Sequence, residues 1–248
     1  MLRKIFLIGI CLIVVIYMTA AFCFSGIKSE VRETPVSVII SINDSTSTSF
    51  ITEHEIKKLL QVKNIYPEGK QFCSISCQTI EEELEKNVFI EKAICYRTPS
   101  DEIRISIIQR RPILRIISDS GLNCFIDEMG YTLPIGHNAV HLPIATGNIS
   151  QTFITETLYP FARLICEDDF WNKQIQQINV TESEELEIIP RIGDHILFLG
   201  KPLNIPEKLK RIRTFYDKGL SRVGWNKYSH ISVEFDNQVI CKRRDTNK

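Results

Sequence analysis

The stretch FIEKAICYRTPSDEIRISIIQRRPILRIIS, from Phe89 to Ser118, decides the fold because it joins a predicted hairpin to the start of a second β segment. Isoleucine occupies every second position from 103 to 107, which is the period of a half-buried strand. The turn residues Thr-Pro-Ser-Asp at 98–101 separate this strand from the strand before it. A new β-like run begins after residue 111, so we place a domain boundary between residues 110 and 111.

The residues before this hairpin predict one strand followed by two helices. The run VSVIISIN at 36–43 alternates like a strand. Thr52 and Glu55 have the spacing of a capping box, which marks a helix start. The second helix has apolar residues at helical spacing over 77–84, and we interpret the acids of its early turns as favourable to the helix macrodipole. We therefore expect 36–110 to form a small strand–helix–helix–strand–strand domain.

The residues after the boundary predict a larger, β-rich domain over 111–242. Short β-like runs there are broken by turn residues, and two segments have helical spacing instead. The first helix covers 152–166 and contains Pro160, which must kink or start it; the second covers 206–219 and should end at its glycine. The predicted fold class is therefore α+β.

The sequence of the amino terminus predicts a transmembrane signal anchor over residues 5–24. Residues 5–24 contain no charged side chain, and 20 helical residues span roughly 30 Å, the thickness of a bilayer core. Arg3 and Lys4 precede this run, so 1–4 should be a cytoplasmic tail and the rest of the chain should lie outside the cytoplasm. We interpret 25–35 as a linker.

A cleaved signal peptide is the alternative for this segment, because Thr19-Ala20-Ala21 offers small residues for cleavage. Both interpretations place six cysteines in an extracytoplasmic compartment, where three disulfides are possible. Their irregular spacing favours mostly buried thiols, with Cys73 and Cys77 the least certain. The six residues are Cys73, Cys77, Cys95, Cys124, Cys166 and Cys241.

The sequence gives little support for catalysis, metal binding or nucleic-acid binding. Basic and acidic residues number 30 each, and common phosphate-binding, metalloprotease and dinucleotide motifs are absent from the sequence. His137 and His141 lie among loop-forming residues, and Asp168-Asp169 is better explained as punctuation between elements. A membrane-tethered hydrolase using these four residues remains an alternative; we expect no cofactor, metal or nucleic acid.

The last segment, YSHISVEFDNQVICKRR at 228–244, alternates like a strand, turns and begins a second strand. A terminal strand is often an edge strand, whose free backbone groups can pair with another chain. The alternative is an edge blunted by the basic residues 242–244. Side chains expected to face the core are Ile231, Val233 and Phe235, and those expected to face outward are His230, Ser232 and Glu234.

The order and spacing of these segments resemble the bacterial cell-division FtsQ (DivIB) family, especially its Bacteroidetes-like branch. NVFIEKA at 87–93 is similar to the family's P-x-V-x-x-A strand entry, with Val88 where proline is usual. CFIDEMGYTLP at 124–134 resembles the D-x-x-G hairpin that opens the β domain, and 224–243 resembles the closing strands.

The resemblance implies a non-enzymatic scaffold of the division machinery, held in the inner membrane at the septum. Its first domain would be a POTRA domain that recruits other division proteins, and its last strands would bind an FtsB-like and FtsL-like coiled-coil pair. We expect 243–248 to be a basic tail. The expected partner-binding residues are Trp225, Tyr228, His230, Ser232, Glu234 and Phe235. An envelope-assembly or secretion factor with a POTRA domain is the alternative within this resemblance.

Overall fold

The computed structural model describes residues 13–19, 37–43, 50–71, 74–100, 102–136 and 141–244 of the 248-residue chain. Among these residues, no helix is both long and apolar enough to span a membrane. Most of the predicted anchor, with Arg3, Lys4 and the linker, lies outside them. The described part of the anchor, 13–19, is helical and its side chains are exposed. The anchor therefore stays a prediction.

The first domain has the predicted element order and folds two helices over one face of a sheet. In the described residues its strands have the spatial order β1-β3-β2, with β1 parallel and β2 antiparallel to the central β3. Ile103, Ile105 and Ile107 of β3 are fully buried in the core beneath the helices. The elements are β1 Ser37–Asn43, α1 Glu53–Val62, α2 Cys77–Glu85, β2 Ile90–Arg97 and β3 Glu102–Gln109.

The predicted capping box is present and fixes where α1 begins. The Thr52 hydroxyl accepts a hydrogen bond from the Glu55 N–H at 3.3 Å, and the Glu55 carboxylate accepts one from the Thr52 N–H at 2.8 Å. Ile51 and Ile56, which flank the cap, are both buried, as a hydrophobic staple requires. The first helix is thus held by local chemistry that can be predicted from four adjacent positions.

The second domain is built on one long mixed sheet. Over the described ranges its strand order is β12-β11-β10-β9-β8-β7-β4-β5-β6. The pairs β4/β7, β7/β8 and β10/β11 are parallel, and the other neighbours are antiparallel. The strands are β4 Pro112–Ser118, β5 Asn123–Asp127, β6 Thr132–Leu133, β7 Ile144–Gly147, β8 Ile175–Val180, β9 Leu186–Pro190, β10 Ile196–Gly200, β11 Tyr228–Ser232 and β12 Ile240–Arg243.

The helices of this domain pack their apolar residues onto the sheet in one continuous core. The described part also contains a short helix, α4, that the sequence pattern does not predict. Helix α3 consists of Gln151–Phe153, a π-helical turn Ile154–Leu158 and Tyr159–Glu167; α4 is Asp169–Gln174; α5 consists of Ile205–Phe215, a π-helical turn Tyr216–Leu220 and Ser221–Val223.

Proline and glycine explain the irregular shape of α3 and α5. Pro160 lies in the first turn of the last part of α3, directly after the π-helical turn, as a residue without an N–H must. Pro206 occupies the first turn of α5, as predicted. The expected end at Gly219 is wrong: a wider turn carries the helix past it to Val223. Gly224 then ends α5 with a φ of 93°.

Aromatic packing of Phe50 joins the two domains, and a polar side chain of the first domain fixes the Phe50 backbone. The Phe50 ring stacks on Phe89 with centroids 5.7 Å apart and meets the edge of Phe125 at 5.9 Å. The Gln109 side-chain oxygen accepts a hydrogen bond from the Phe50 N–H at 2.8 Å and from the Ile51 N–H at 3.3 Å. Phe125 belongs to the second domain, so the start of the first helix is tied to both sheets.

Arg110, the last residue of the first domain, forms an ion pair with the second domain. The Arg110 guanidinium lies 3.0 Å from the Asp127 carboxylate, whose side chain is 2% exposed, and 4.3 Å from the centre of the Tyr131 ring. Asp127 also accepts hydrogen bonds from the N–H groups of Met129 and Tyr131, which form the turn before β6. The D-x-x-G hairpin that resembles the family motif therefore contains Asp127, the residue that forms the ion pair with Arg110.

Candidate partner-binding edge

Strands β1 and β2 end the small sheet, and β6 and β12 end the large one, in the part of the chain that the structure describes. Strand β6 has only 2 residues, too few to present a ladder of hydrogen bonds. Strand β1 is flanked on both sides by residues that the structure does not describe. The edges whose strands are flanked on both sides by described residues are therefore those of β2 and β12.

The edge of β2 is covered by acidic side chains from α2. The Glu81 carboxylate accepts a hydrogen bond from the Cys95 N–H at 2.6 Å, and the Glu85 carboxylate accepts one from the Ala93 N–H at 3.2 Å. These N–H groups are the donors that a neighbouring strand would otherwise use. Strand β2 is therefore closed to strand addition.

The expectation that Tyr228–Phe235 forms the edge strand is wrong, because β11 has a neighbour on each side. Its residues 230–232 pair in parallel with β10, and 228–232 pair in antiparallel fashion with β12. The turn that brings the chain back contains Asn237, whose φ of 60° suits a tight reversal. The edge of the sheet is β12, with no described strand on its outer side.

The hydrogen bond from the Arg244 N–H to the Lys227 carbonyl, 3.0 Å long, fixes which backbone groups of β12 point outward. In an antiparallel ladder, alternate residues direct both N–H and C=O to the same side. The N–H groups of Lys242 and Ile240 therefore point inward with that of Arg244. Those of Cys241 and Arg243 point outward, where a partner strand would lie.

Helix α5 supports the terminal hairpin with two cationic side chains. The buried Lys208 ammonium donates hydrogen bonds to the carbonyls of Leu199 at 2.7 Å and Lys201 at 2.9 Å, and burial lowers the pKa of this amine. Arg211 donates to the carbonyls of Val233, at 3.1 Å, and Phe235. The end of β11 and the following turn are thus anchored to the helix layer.

Trp225 caps a buried polar pair beneath the hairpin. Its ring lies 4.9 Å from that of Tyr216 and 6.4 Å from that of His195. The His195 Nε2 and the Tyr216 hydroxyl are 2.7 Å apart, while His195 Nδ1 is buried with no partner within the described residues. Burial lowers the pKa of His195, with a smaller contribution from Arg244, and burial raises the pKa of Tyr216. Trp225 is 36% exposed, so most of its surface stabilises this cluster.

Tyr228 and His230 do not share one surface. A register shift separates them on β11. The Tyr228 ring packs 6.1 Å from Phe215 of α5, whereas His230 lies 5.7 Å from Phe198 of β10. The expected partner-binding residues therefore do not converge on a single patch. Their role in partner binding stays a prediction.

Ser232 is buried and not exposed, and the expected direction of Phe235 is wrong because the strand ends earlier than the alternation suggested. Strand β11 stops at Ser232, which is buried, with 9% exposed, and accepts a hydrogen bond from the Glu234 N–H at 3.3 Å. Phe235 is 53% exposed instead of facing the core. Ile231 and Val233 are fully buried as expected, and His230 and Glu234 are half-buried.

The residues of β12 were missed as binding candidates. Ile240 is 49% exposed, and Lys242 and Arg243 are exposed beside it, so the edge has one apolar and two cationic side chains. The sequence VICKRR contains this signal, but its basic residues enter the sequence-based prediction only as the alternative of a blunted edge and as the start of a basic tail. Arg244 instead extends the hairpin and forms an ion pair with Asp194 at 3.7 Å.

Asp168 and Asp169, two of the residues considered for a hydrolase, have structural roles. Asp168 caps α4 by accepting hydrogen bonds from the Phe170 and Trp171 N–H groups, and Asp169 pairs with Lys173 at 2.7 Å. His141 is exposed, and His137 lies outside the described residues. Asp168-Asp169 is therefore the punctuation that the sequence favoured, although between two helices.

Comparison with known families assigns both domains. Residues 111–242 match the FtsQ/DivIB, C-terminal related family, and residues 35–108 match the POTRA-like domain. No curated protein matches the chain. The first match covers more than half of the chain, and the resemblance drawn from the sequence motifs is confirmed. The chain belongs to the FtsQ/DivIB family.

Proposed function

We propose that this protein is a membrane-anchored division scaffold that binds its partner by adding the partner's strand to β12. FtsQ/DivIB proteins are a family of non-enzymatic scaffolds related to cell division. The partner would be an FtsB-like and FtsL-like coiled-coil pair at the septum, and the POTRA-like domain would recruit other division proteins. Residues 5–24 would hold the chain in the inner membrane, with the amino terminus in the cytoplasm.

The open side of β12 is the observation that supports this proposal. Strand addition needs a row of outward backbone donors and acceptors next to a rigid sheet. The outward groups of Cys241 and Arg243 supply that row, and β11 and α5 hold it in place. The adjacent Ile240 side chain offers apolar contact, and the cations favour an acidic partner segment.

Hydrogen exchange tests the proposal on the full chain with and without a purified FtsB-like/FtsL-like pair. We expect the partner to protect the amides of Cys241 and Arg243, which point outward, and to leave those of Ala93 and Cys95 unchanged, because carboxylates already bind them. Binding without any added protection of β12 would contradict strand addition. Equal protection of β2 and β12 would mean general stabilisation and not a new ladder.

A further inference from the structure

The first turn of α2 places one cysteine against another on β2. Cys77 is the first residue of α2 and packs against the buried cluster that contains Cys95. The backbone N–H of Cys95 is bonded to Glu81, one helical turn further along α2, and Arg97 donates to the Ile75 carbonyl just before the helix. Helix and strand are thus held together on both sides of the cysteine pair. Burial, and then the neighbouring Cys77 side chain, raise the pKa of the Cys95 thiol.

The other described cysteines have no such neighbour. Burial raises the pKa of the thiols of Cys124, Cys166 and Cys241. Unlike at Cys95, no second described cysteine contributes to the raised pKa of these thiols. Cys95 is 6% exposed, whereas Cys77 is half-buried. An external reagent can therefore reach Cys77 directly, and Cys95 is best reached through Cys77.

We propose that Cys77 and Cys95 are an oxidation site at which the two thiols become one disulfide joining α2 to the edge strand β2. The oxidant is a disulfide donor, such as a thiol–disulfide oxidoreductase or a small-molecule disulfide. The proposal rests on the proposed function only for the compartment, because an extracytoplasmic domain meets such donors and a cytoplasmic one is kept reduced.

The reaction proceeds by two exchange steps. The Cys77 thiolate attacks one sulfur of the donor, the donor's S–S bond breaks, and one donor thiolate leaves. The Cys95 thiol then loses its proton and attacks Cys77 Sγ, which releases the second donor thiolate. Two protons and two electrons leave the cysteine pair, and the donor's disulfide is reduced to two thiols. Burial and the neighbouring Cys77 raise the pKa of Cys95, so the second step should accelerate with increasing pH.

The bond would reinforce the closed edge of the small sheet. Helix α2 supplies both carboxylates that cover β2, and its first residue would be covalently fixed to that strand. A crosslink restricts the unfolded chain, so oxidation should raise the melting temperature of the domain by several degrees, roughly 5 °C or more.

Peptide mapping of the wild-type full-length chain tests the site. The protein is incubated with oxidised glutathione, free thiols are alkylated, and the digest is measured by mass spectrometry. We expect a peptide pair joined through Cys77 and Cys95, with a mass about 2 Da below the sum of its parts because two hydrogens are lost. Reduction should abolish the pair.

Controls separate this pair from other thiols. Cys77→Ser should remove the linked peptide without changing the far-ultraviolet circular dichroism, and Cys124→Ser should leave the linked peptide in place. Glutathione remaining on Cys77 with no link, or a link from either cysteine to Cys73, would overturn the proposal. A reporter enzyme active only outside the cytoplasm, fused to the carboxyl terminus, tests the compartment separately. An inactive reporter would contradict the proposed topology and leave the mapping result to decide the disulfide.

Discussion

The two edge strands β2 and β12 differ in what lies beside them. Strand β2 has the outward N–H groups of Ala93 and Cys95 bonded to Glu85 and Glu81, so these donors are not available to a partner strand. Strand β12 has outward groups at Cys241 and Arg243 and no described strand to receive them. Unpaired edges promote unwanted association, and proteins usually protect them. An edge left open beside a protected one is therefore the better candidate for a binding site.

Charged side chains lie beside the backbone at both edges, but they have opposite sign and different effects. At β2 the charges are carboxylates, which accept hydrogen bonds and so occupy donors. At β12 the nearest charges, Lys242 and Arg243, are cations, which cannot accept a hydrogen bond from an N–H group. They discourage pairing with another positively charged strand but leave the backbone available. The cations thus select a partner and do not close the edge.

Removing the carboxylates that cover β2 should have the largest effect on stability. In the double variant Glu81→Ala, Glu85→Ala, the N–H groups of Ala93 and Cys95 lose their acceptors. We expect the free energy of unfolding of the first domain to fall by about 2–3 kcal/mol, since hydrogen bonds to charged groups contribute roughly 1.5–3 kcal/mol each and partial exposure reduces this. Urea denaturation followed by circular dichroism measures it.

The matched control is Glu82→Ala, whose carboxylate accepts only from Gln78 on the same helix within the described residues. This variant should remain within about 0.5 kcal/mol of the wild type. Hydrogen exchange at residues 93 and 95 should accelerate only in the double variant. Equal stability of the two variants would mean that the helix covers β2 without closing it.

Proline at position 243 should have an intermediate effect, on partner binding at β12. Arg243→Pro removes an outward N–H from β12 and leaves the inward bonds of its neighbours intact. We expect the Kd for the FtsB-like/FtsL-like pair to rise roughly 10-fold, because one lost hydrogen bond with an unpaired partner acceptor costs about 1–2 kcal/mol. Isothermal titration calorimetry gives the Kd.

Arg243→Ala separates the backbone from the charge at the same position. It retains the N–H, so its Kd should rise by no more than roughly 3-fold, the effect of one exposed charge. If both variants bind equally weakly, the side chain and not the ladder carries the interaction. Unchanged melting temperatures in both variants show that the hairpin still forms.

The small domain could be predicted from sequence because its signals are local. The capping box at Thr52 and Glu55 and the isoleucine period of β3 each depend on a few adjacent residues. Its closed edge could not be predicted from such signals. The sequence pattern predicts that the acids of α2 stabilise the helix through its macrodipole, which requires them near the first turn. The first turn contains no acid. Glu81 and Glu85 instead act on a strand that follows later in the chain.

The open edge was assigned to the wrong strand for a related reason. The alternation of Tyr228–Phe235 identified a strand correctly but gave no information about its neighbours. Its parallel pairing with β10 joins Leu197 to Ile231, positions separated by an entire helix. Such pairing depends on how α5 crosses the sheet. The direction of Phe235 was wrong because alternation was continued beyond the last paired residue.

The smallest expected effect concerns the pH dependence of the open edge. His195 is buried beneath the hairpin, and burial holds its pKa below the ordinary value of 6.5, assisted by Arg244 and opposed by Asp194. The unfolded chain therefore binds a proton more readily than the folded chain, and stability decreases as the pH falls through about 6.5. Between pH 7 and pH 5 we expect the large domain to lose on the order of 1 kcal/mol through this group.

His195→Gln should flatten that part of the stability curve, because a side-chain amide can still bond to the Tyr216 hydroxyl and does not titrate. Urea midpoints from pH 7 to pH 5, followed by tryptophan fluorescence, measure the slope, since the Trp225 ring lies 6.4 Å from the His195 ring. His54→Gln, at an exposed position on the first helix, should keep the wild-type slope. An unchanged slope in His195→Gln would assign the acid sensitivity of the large domain to other groups.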